Sequence, residues 1–324
     1  MSDLSIAVTI ITRNRLESLK RCLGCIAQQT YPANEVIVVD SSSGPETREF
    51  VTTYFPTIRY FHMTAPLGSQ PRLRNLALQQ AQSDIIAATD DDGYPQPQWL
   101  SGLIACFGPG VGAVGGRILQ GIVDEGRGPD HPVVGAMTAF AGATGNFNAI
   151  WAEPFEVDHL QGTNMSFRRE LLNQVNGWDL MLEGGYASYE DTETCLRIKR
   201  LGYRVMYTPH AIVQHGLSPR EAGFVRDAGV SPRLAYSLSR NAVYSVFRNY
   251  ELAPGIIVKA GIVAPVVNVA RSLLPKQTGK SGRSLSLSPD RLRAAGAVVA
   301  GHLAGLYCVL RSRKENPWPR LRLT

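Results

Sequence analysis

The 324-residue sequence contains no glycine loop of the kind that cradles phosphate. Neither GxxxxGKS/T nor a GxGxxG after the first strand-like run is present, which excludes P-loop and dinucleotide-type nucleotide binding. Cysteine is scarce. Five residues, an odd number scattered along the chain, argue against a disulfide framework and for a reducing compartment. Cys22 and Cys25 have CxxC spacing, but no second pair accompanies them. They fall in a helical pattern with Leu16, Leu19, Leu23 and Ile26 and read as core thiols. The start, Met1-Ser2-Asp3-Leu4, lacks a basic stretch followed by an apolar run, so no signal peptide is expected.

What is present begins with composition. A hydrophobic content of 44% suits one large domain or two unequal ones. Charge is divided unevenly. Residues 1–216 carry 16 Lys and Arg against 22 Asp and Glu, a net of −6, whereas residues 217–324 carry 17 against 5, a net of +12. A moderately acidic catalytic body, 1–216, and a basic, largely helical extension, 217–324, are therefore expected. Such a tail suits nucleic acid, anionic lipid or an anionic substrate.

In the body, Ile6 to Thr12, Glu35 to Asp40, Ile58 to His62 and the run before Asp90 read as buried strands. Helical patterns over 16–28 and 71–82 lie among them. Strand, helix, strand, helix, strand implies a parallel sheet with crossover helices, so Thr12, Asp40 and Asp90-Asp91-Asp92 should converge at one sheet edge. Three adjacent carboxylates repel one another and are tolerated in water or around a cation. On an extended backbone Asp90 and Asp92 share a side. At a strand end, where α/β sheets bind ligands, that pair predicts a Mg²⁺ or Mn²⁺ site open to phosphate oxygens, and Gly93 and Pro95 are expected to stop the strand. Local spacing leaves Asp40 open between a turn acid and a contact to base or ribose. Glu190 and Asp191 stand at a helix start, where carboxylates are often only caps. A strand at 203–208 precedes His215, a structural histidine or a ligand.

In order, Val8-Thr9-Ile10-Ile11-Thr12, Val38-Val39-Asp40-Ser41-Ser42, Gly68 to Arg74-Asn75 and Asp90-Asp91-Asp92 form one series. Gly162-Thr163-Asn164-Met165-Ser166-Phe167-Arg168, Gly177-Trp178, Glu190-Asp191 and His215 continue it. The set resembles the family 2 glycosyltransferases, inverting enzymes of the GT-A fold that use nucleotide-sugars, over about residues 6–216. Ala77 departs from a glycine common in the family, and residues 111–158 look divergent, so acceptor specificity does not carry over.

The resemblance implies an α/β, GT-A-like, mostly parallel central sheet flanked by helices, with a C-terminal helical extension. It implies a divalent cation (Mg²⁺ or Mn²⁺) on Asp90 and Asp92, with Asp92 the surest ligand and His215 a further one. Asp191 would be the general base, and Thr12, Arg13, Asp40, Arg74, Asp90 and Asp91 would lie against the nucleotide. The donor would be a UDP-, GDP- or dTDP-sugar and the acceptor a hydroxyl of a saccharide or lipid-linked molecule, in oligosaccharide or polysaccharide synthesis. A metal-dependent sugar nucleotidyltransferase is the alternative enzyme, although the glycine-free Thr12-Arg13-Asn14-Arg15 stretch lacks that class's loop. A non-catalytic basic binding module is a third reading and rests on the tail alone.

In the tail, residues 231–250 interleave Arg233, Arg240 and Arg248 with Tyr236, Tyr244, Phe247 and Tyr250. This pattern suits nucleic acid or a membrane interface. Two apolar stretches follow, 252–270 and 294–310, the second uncharged between Arg293 and Arg311 but short of the roughly 20 residues of a spanning helix. Helices packed on the body or lying in the interface are expected, with a mobile loop at 281–288 between them. The expectation is a cytoplasmic protein, peripheral on the anionic inner face of the cell membrane, with no nucleic-acid partner.

Overall fold

The computed structural model describes residues 4–120, 133–138, 142–184, 188–216, 231–251, 257, 259–273, 289–312 and 320–321; the loop expected at 281–288 lies outside them. The chain divides into two units. The first comprises Met1–Ala136, Ala143–Leu180 and Glu190–Ser218, and the second comprises Met137–Gly142, Met181–Tyr189 and Pro219–Thr324.

In the first unit, β1 (Ile6–Thr12), β2 (Glu35–Asp40), β3 (Arg59–His62) and β4 (Ile85–Asp90) pair in parallel in the order β3-β2-β1-β4. Strand β1 lies between two neighbours and is buried throughout, which is why its sequence is aliphatic apart from Thr9 and Thr12. Helices α1 (Leu16–Ala27), α2 (Glu46–Tyr54) and α3 (Gln70–Gln80) make the crossovers. Helix α1 buries Leu19, Cys22, Leu23 and Ile26, one stripe at helical spacing, among Val8, Ile10, Val38 and Ile85. Each aliphatic side chain so buried contributes roughly 1.5–3 kcal/mol. Because the chain order reverses across β1, the carboxyl ends of β1 and β4 form the switch point at which such sheets bind ligands.

Past β4 the sheet becomes mixed. It is completed by β5 (Gly93–Pro95), α4 (Trp99–Ile104), β6 (Val111–Gln120), β7 (Phe155–Val157), β8 (Met165–Arg168), α5 (Arg169–Gln174), α6 (Glu190–Arg200) and β9 (Arg204–His215). From β4 the order runs β8-β6-β9-β5, with β7 also on β9. Strand β8 is antiparallel to both neighbours, and β6 is parallel to β9.

Two features differ from the sequence reading. Extended structure does not end at Gly93. The chain turns at Asp91-Asp92 and resumes as β5, antiparallel to the end of β9 with Gly93 opposite His215. Pro95 is tolerated because β5 is an edge strand. Strand β9 also continues past Thr208. Its register against β6 jumps from Thr208 to Ile212 between Gly116 and Arg117, and this irregularity carries the strand on to His215.

The second unit contains α7 (Pro232–Asn249), a π-helical turn (Lys259–Val263), α8 (Ala264–Leu273) and α9 (Pro289–Ser312). The Ser231 hydroxyl caps α7 by accepting from the Leu234 amide at 3.2 Å, with Pro232 in the first turn. Helices α7 and α9 meet at glycine. A Cβ on Gly301 would sit 2.3 Å from the Tyr236 carbonyl oxygen, and one on Gly305 2.6 Å from that of Arg240. Ala235, Ala294 and Val298 close the seam together with Val269 of α8. Among the described residues, Leu292–Ser312 is the one stretch long and apolar enough, by length and composition, to cross a membrane.

Candidate active site

Strand β4 and the turn after it bring three carboxylates together; Asp91 and Asp92 share Arg15, and Asp90 takes Arg74. Asp91 is fully buried. Its Oδ2 accepts from Thr12 Oγ1 at 2.7 Å and from Arg15 Nε at 3.0 Å, and its Oδ1 is paired with Arg15 Nη2. Burial pushes the Asp91 carboxyl up to about 7 against the pull of Arg15 and Thr12. Burial likewise opposes the Arg15 cation, but the three aspartates outweigh it and its pKa is raised. Asp90 accepts from Arg74 Nη2 at 3.1 Å through Oδ1 and from Thr163 Oγ1 at 2.7 Å through Oδ2. Asp92 Oδ2 takes Arg15 Nη1 at 3.2 Å, while Oδ1 faces His215 Nε2 at 3.4 Å.

The β5–β9 ladder makes the last of these contacts. It sets Gly93 against His215, and the Gly216 amide donates to the Asp92 carbonyl at 2.7 Å. One ligand atom each from Asp90, Asp92 and His215 then lie within 4.8 Å of one another. Three carboxylates face two guanidinium groups, so one formal negative charge remains. Two carboxylates and an imidazole form an oxygen-rich donor set, and these residues fit Mg²⁺ or Mn²⁺.

Asp191 stands in the first turn of α6 and is held from two sides. Its Oδ2 accepts from the Gly162 amide at 2.8 Å, and its Oδ1 from the Thr192 amide at 2.6 Å and the Thr192 hydroxyl at 3.3 Å. A Cβ on Gly162 would lie 3.2 Å from Arg74 Nη2 and 3.6 Å from Asp191 Oδ2, so Arg74 links Asp90 to the surroundings of Asp191. The neighbouring Glu190 is buried. Burial first, and the Asp191 charge second, raise its carboxyl above the ordinary range, with Arg74 opposing.

Arg74 is only 3% exposed, and the residue after it explains how it is aimed. Asn75 clamps the turn after α5. Its Nδ2 donates to the Trp178 carbonyl at 2.8 Å, and its Oδ1 accepts from the Trp178 amide at 2.7 Å. Gly177 in that turn has a φ of 67°, and a Cβ there would stand 2.2 Å from Asn75 Oδ1. Glycine is therefore required twice over, by conformation and by space.

The structure thus gathers Thr12, Arg74, Asp90, Asp91, Asp92 and His215, with Asp191 beyond Arg74. Arg13 lies at the same strand end, where its Nη1 donates to the Ala65 carbonyl at 2.6 Å. Asp40 faces elsewhere. It is completely buried, with Oδ1 accepting from the Ser42 amide at 2.7 Å and Oδ2 from the Tyr60 hydroxyl at 2.6 Å. Two residues of the cluster carry no role in the sequence reading, Thr163 and Arg15. Arg15 left a signal, since a cation at the start of α1 opposes the helix dipole and so calls for an anionic partner.

Residues 7–175, more than half of the chain, match the family described as glycosyl transferase family 2. The chain belongs to that family. It is 33% identical over 119 residues to glycosyltransferase AglE of Haloferax volcanii, covering 35% of this chain and 39% of AglE. It is 27% identical over 224 residues to the glucosyl-dolichyl phosphate glucuronosyltransferase of the same organism, covering 66% and 69%.

Among solved structures, the family 2 chain is similar to GalNAc-T7 with UDP, GalNAc and Mn²⁺, with a TM-score of 0.62 at 16% identity over 77% of this chain and 48% of that one. Mannosyltransferase PcManGT from Pyrobaculum calidifontis, in complex with GDP-Man and Mn²⁺, gives a TM-score of 0.58 at 22% identity over 95% and 88%. At these identities the likeness establishes the fold. The chain spans well under half the length of AglE and about half that of GalNAc-T7.

Proposed function

We propose that this family 2 chain is an inverting glycosyltransferase, moving a sugar from a nucleoside-diphosphate donor to a hydroxyl of a saccharide or lipid-linked acceptor. The observation that carries the reading is the convergence of Asp90, Asp92 and His215 within 4.8 Å, with Arg74 reaching from Asp90 toward Asp191. Asp90, Asp92 and His215 would hold a Mg²⁺ or Mn²⁺ ion, which would supply positive charge for the departing diphosphate. Asp191 takes the proton of the acceptor hydroxyl as its oxygen attacks the anomeric carbon. The bond to the diphosphate oxygen breaks on the opposite face, the electron pair leaves with the nucleotide, and the anomeric centre inverts.

The remaining residues position these groups. Asp91 fixes Arg15 and Thr12 beside the cation site, and Arg74 brings a buried guanidinium to the diphosphate side. Thr12 and Arg13 border the nucleoside, and Asp40 holds the turn after β2 through the Ser42 amide and the Tyr60 hydroxyl. Similarity to proteins solved with UDP or GDP-Man and Mn²⁺ supports this donor class, and the name of the dolichyl-phosphate relative supports the acceptor class. The test is a screen of UDP-, GDP- and dTDP-sugars for hydrolysis with and without Mn²⁺. One donor should release its nucleoside diphosphate in a Mn²⁺-dependent way. Absence of hydrolysis, together with absence of Mn²⁺-dependent thermal stabilisation by every nucleoside diphosphate, would overturn the proposal.

A further inference from the structure

Helix α9 has two contrasting faces. Ala294, Val298, Gly301, Gly305 and Cys308 recur at alternating steps of four and three and are buried; at Gly301 and Gly305 the seam against α7 leaves no room for a side chain. The opposite arc carries Leu292, Val299, Leu303, Tyr307 and Leu310, and the last three are 62%, 63% and 64% exposed. At 3.6 residues per turn these five fall within roughly 80° of arc. Arg293 and Arg311 are both exposed and stand 18 residues apart, about five turns, so they mark the same edge of the apolar strip at its two ends. Helix α8 packs on α9 through Val269, and outside α9 the exposed apolar side chains of the second unit include Val266 and Ile262.

We propose that this strip is a membrane-docking surface, with α9 lying in the plane of an anionic bilayer rather than crossing it. Two observations favour the in-plane arrangement. One face of α9 is taken by α7, a helix carrying Arg233, Arg240 and Arg248, and Arg240 donates to the Met181 carbonyl and approaches Cys308 of α9 at 3.7 Å. A helix seamed to so basic a neighbour offers lipid a single face. Charge supplies the second, because residues 217–324 carry a net of +12 and the strip is edged by arginine at both ends, matching an anionic headgroup layer. Leu303, Tyr307 and Leu310 enter the acyl boundary, while Arg293 and Arg311 stay at the headgroups.

Co-sedimentation of the full chain with vesicles of phosphatidylcholine alone, or mixed with phosphatidylglycerol, tests this at low and high salt. The chain should sediment with the anionic vesicles, and salt should weaken that binding without abolishing it, because apolar insertion is not screened. The double variant Leu303→Gln with Leu310→Gln should lose about tenfold or more in partitioning while keeping its circular dichroism. The double variant Arg293→Gln with Arg311→Gln should lose mainly the preference for anionic vesicles. Leu303→Gln alone, at an exposed position, guards against misfolding of the pair and should show a smaller loss. No binding to either vesicle, or binding indifferent to the leucines, overturns the proposal. So does a wild-type dimer in sedimentation velocity that the leucine variants dissociate, since the strip would then belong to a second copy of the chain.

Discussion

Asp191→Asn probes the proposed base, and the structure sets what the change should cost. Both carboxylate oxygens accept from backbone amides, Oδ2 from Gly162 at 2.8 Å and Oδ1 from Thr192 at 2.6 Å. A carboxamide offers one acceptor oxygen and one NH₂ donor, so in either orientation one of those amides meets another donor. One hydrogen bond to a charged group is lost, worth about 1.5–3 kcal/mol. At roughly 2–4 °C per kcal/mol for a chain of this class, the melting midpoint should fall by several degrees with the fold retained. Chemistry should lose more. A missing general base costs about 10²–10⁴ in turnover, or roughly 3–5 kcal/mol of barrier. Donor affinity should survive, because the donor side of the site rests on Asp90, Asp92 and Arg74. The assay measures nucleoside-diphosphate release at saturating donor, donor Kd by calorimetry, and melting on the same preparation. Thr192→Val, which removes only the hydroxyl at 3.3 Å, controls for local disturbance. Turnover within about tenfold of wild type would remove Asp191 from the chemistry. If Glu190→Gln were then inactive, the base would move one residue upstream.

The other expectations are as direct. Asp92→Ala should abolish Mn²⁺-dependent nucleotide binding yet leave melting of the metal-free protein nearly unchanged, because Arg15 keeps Asp91 and one of three repelling anions is gone; retained Mn²⁺-dependent binding refutes the ligand set. Two glycines of α9 should respond oppositely to alanine. Gly301→Ala should destabilise the second unit by about 1–3 kcal/mol because its Cβ meets the Tyr236 backbone, whereas Gly296→Ala, with nothing within 4 Å, should stabilise by about 0.5–1 kcal/mol; equal shifts would contradict the seam. Burial holds the His302 imidazole below its ordinary value, partly offset by the Gly261 backbone. A depressed folded-state value means that its stability contribution is present above about pH 6.5 and lost as pH falls, so thermal melts should show a shallower acid decline in His302→Gln than in wild type.

The parallel half of the sheet was legible because strands buried on both faces are written as runs of aliphatic residues and threonine with no charge before the last position, as in Ile6–Thr12 and Ile85–Asp90. Of the other half, only the first part of β9 was, as the strand read at 203–208. Strand β6 hides behind Gly112, Gly115 and Gly116, which β-propensity counts against it. At Gly115 and Gly116 a Cβ would meet the backbone of Asn164 and Ala211, so the glycines are there for close approach. In the tail the helices could be placed from pattern, but the lipid-like face of α9 could not be told from its buried face, since both are apolar. Only the glycine seam separates them.

The site divides along the same line. Asp90 and Asp92 could be paired from local spacing, and Asp191 and His215 came from motif order, but the contact between Asp92 and His215 joins residues more than 120 positions apart. It depends on a three-residue strand whose Gly93 and Pro95 read as terminators. Gly93 is confined as well, since a Cβ there would lie 2.3 Å from Thr89 Oγ1 and 3.1 Å from the Asp90 carbonyl. Side chains alternate along a strand, so a slip of one residue in the Gly93–His215 register would turn His215 to the other face of the sheet. The third ligand is therefore specified by the pairing of β5 with β9. That pairing rests on Gly93 having no side chain, on Pro95 tolerating an edge, and on the Gly216 amide reaching the Asp92 carbonyl.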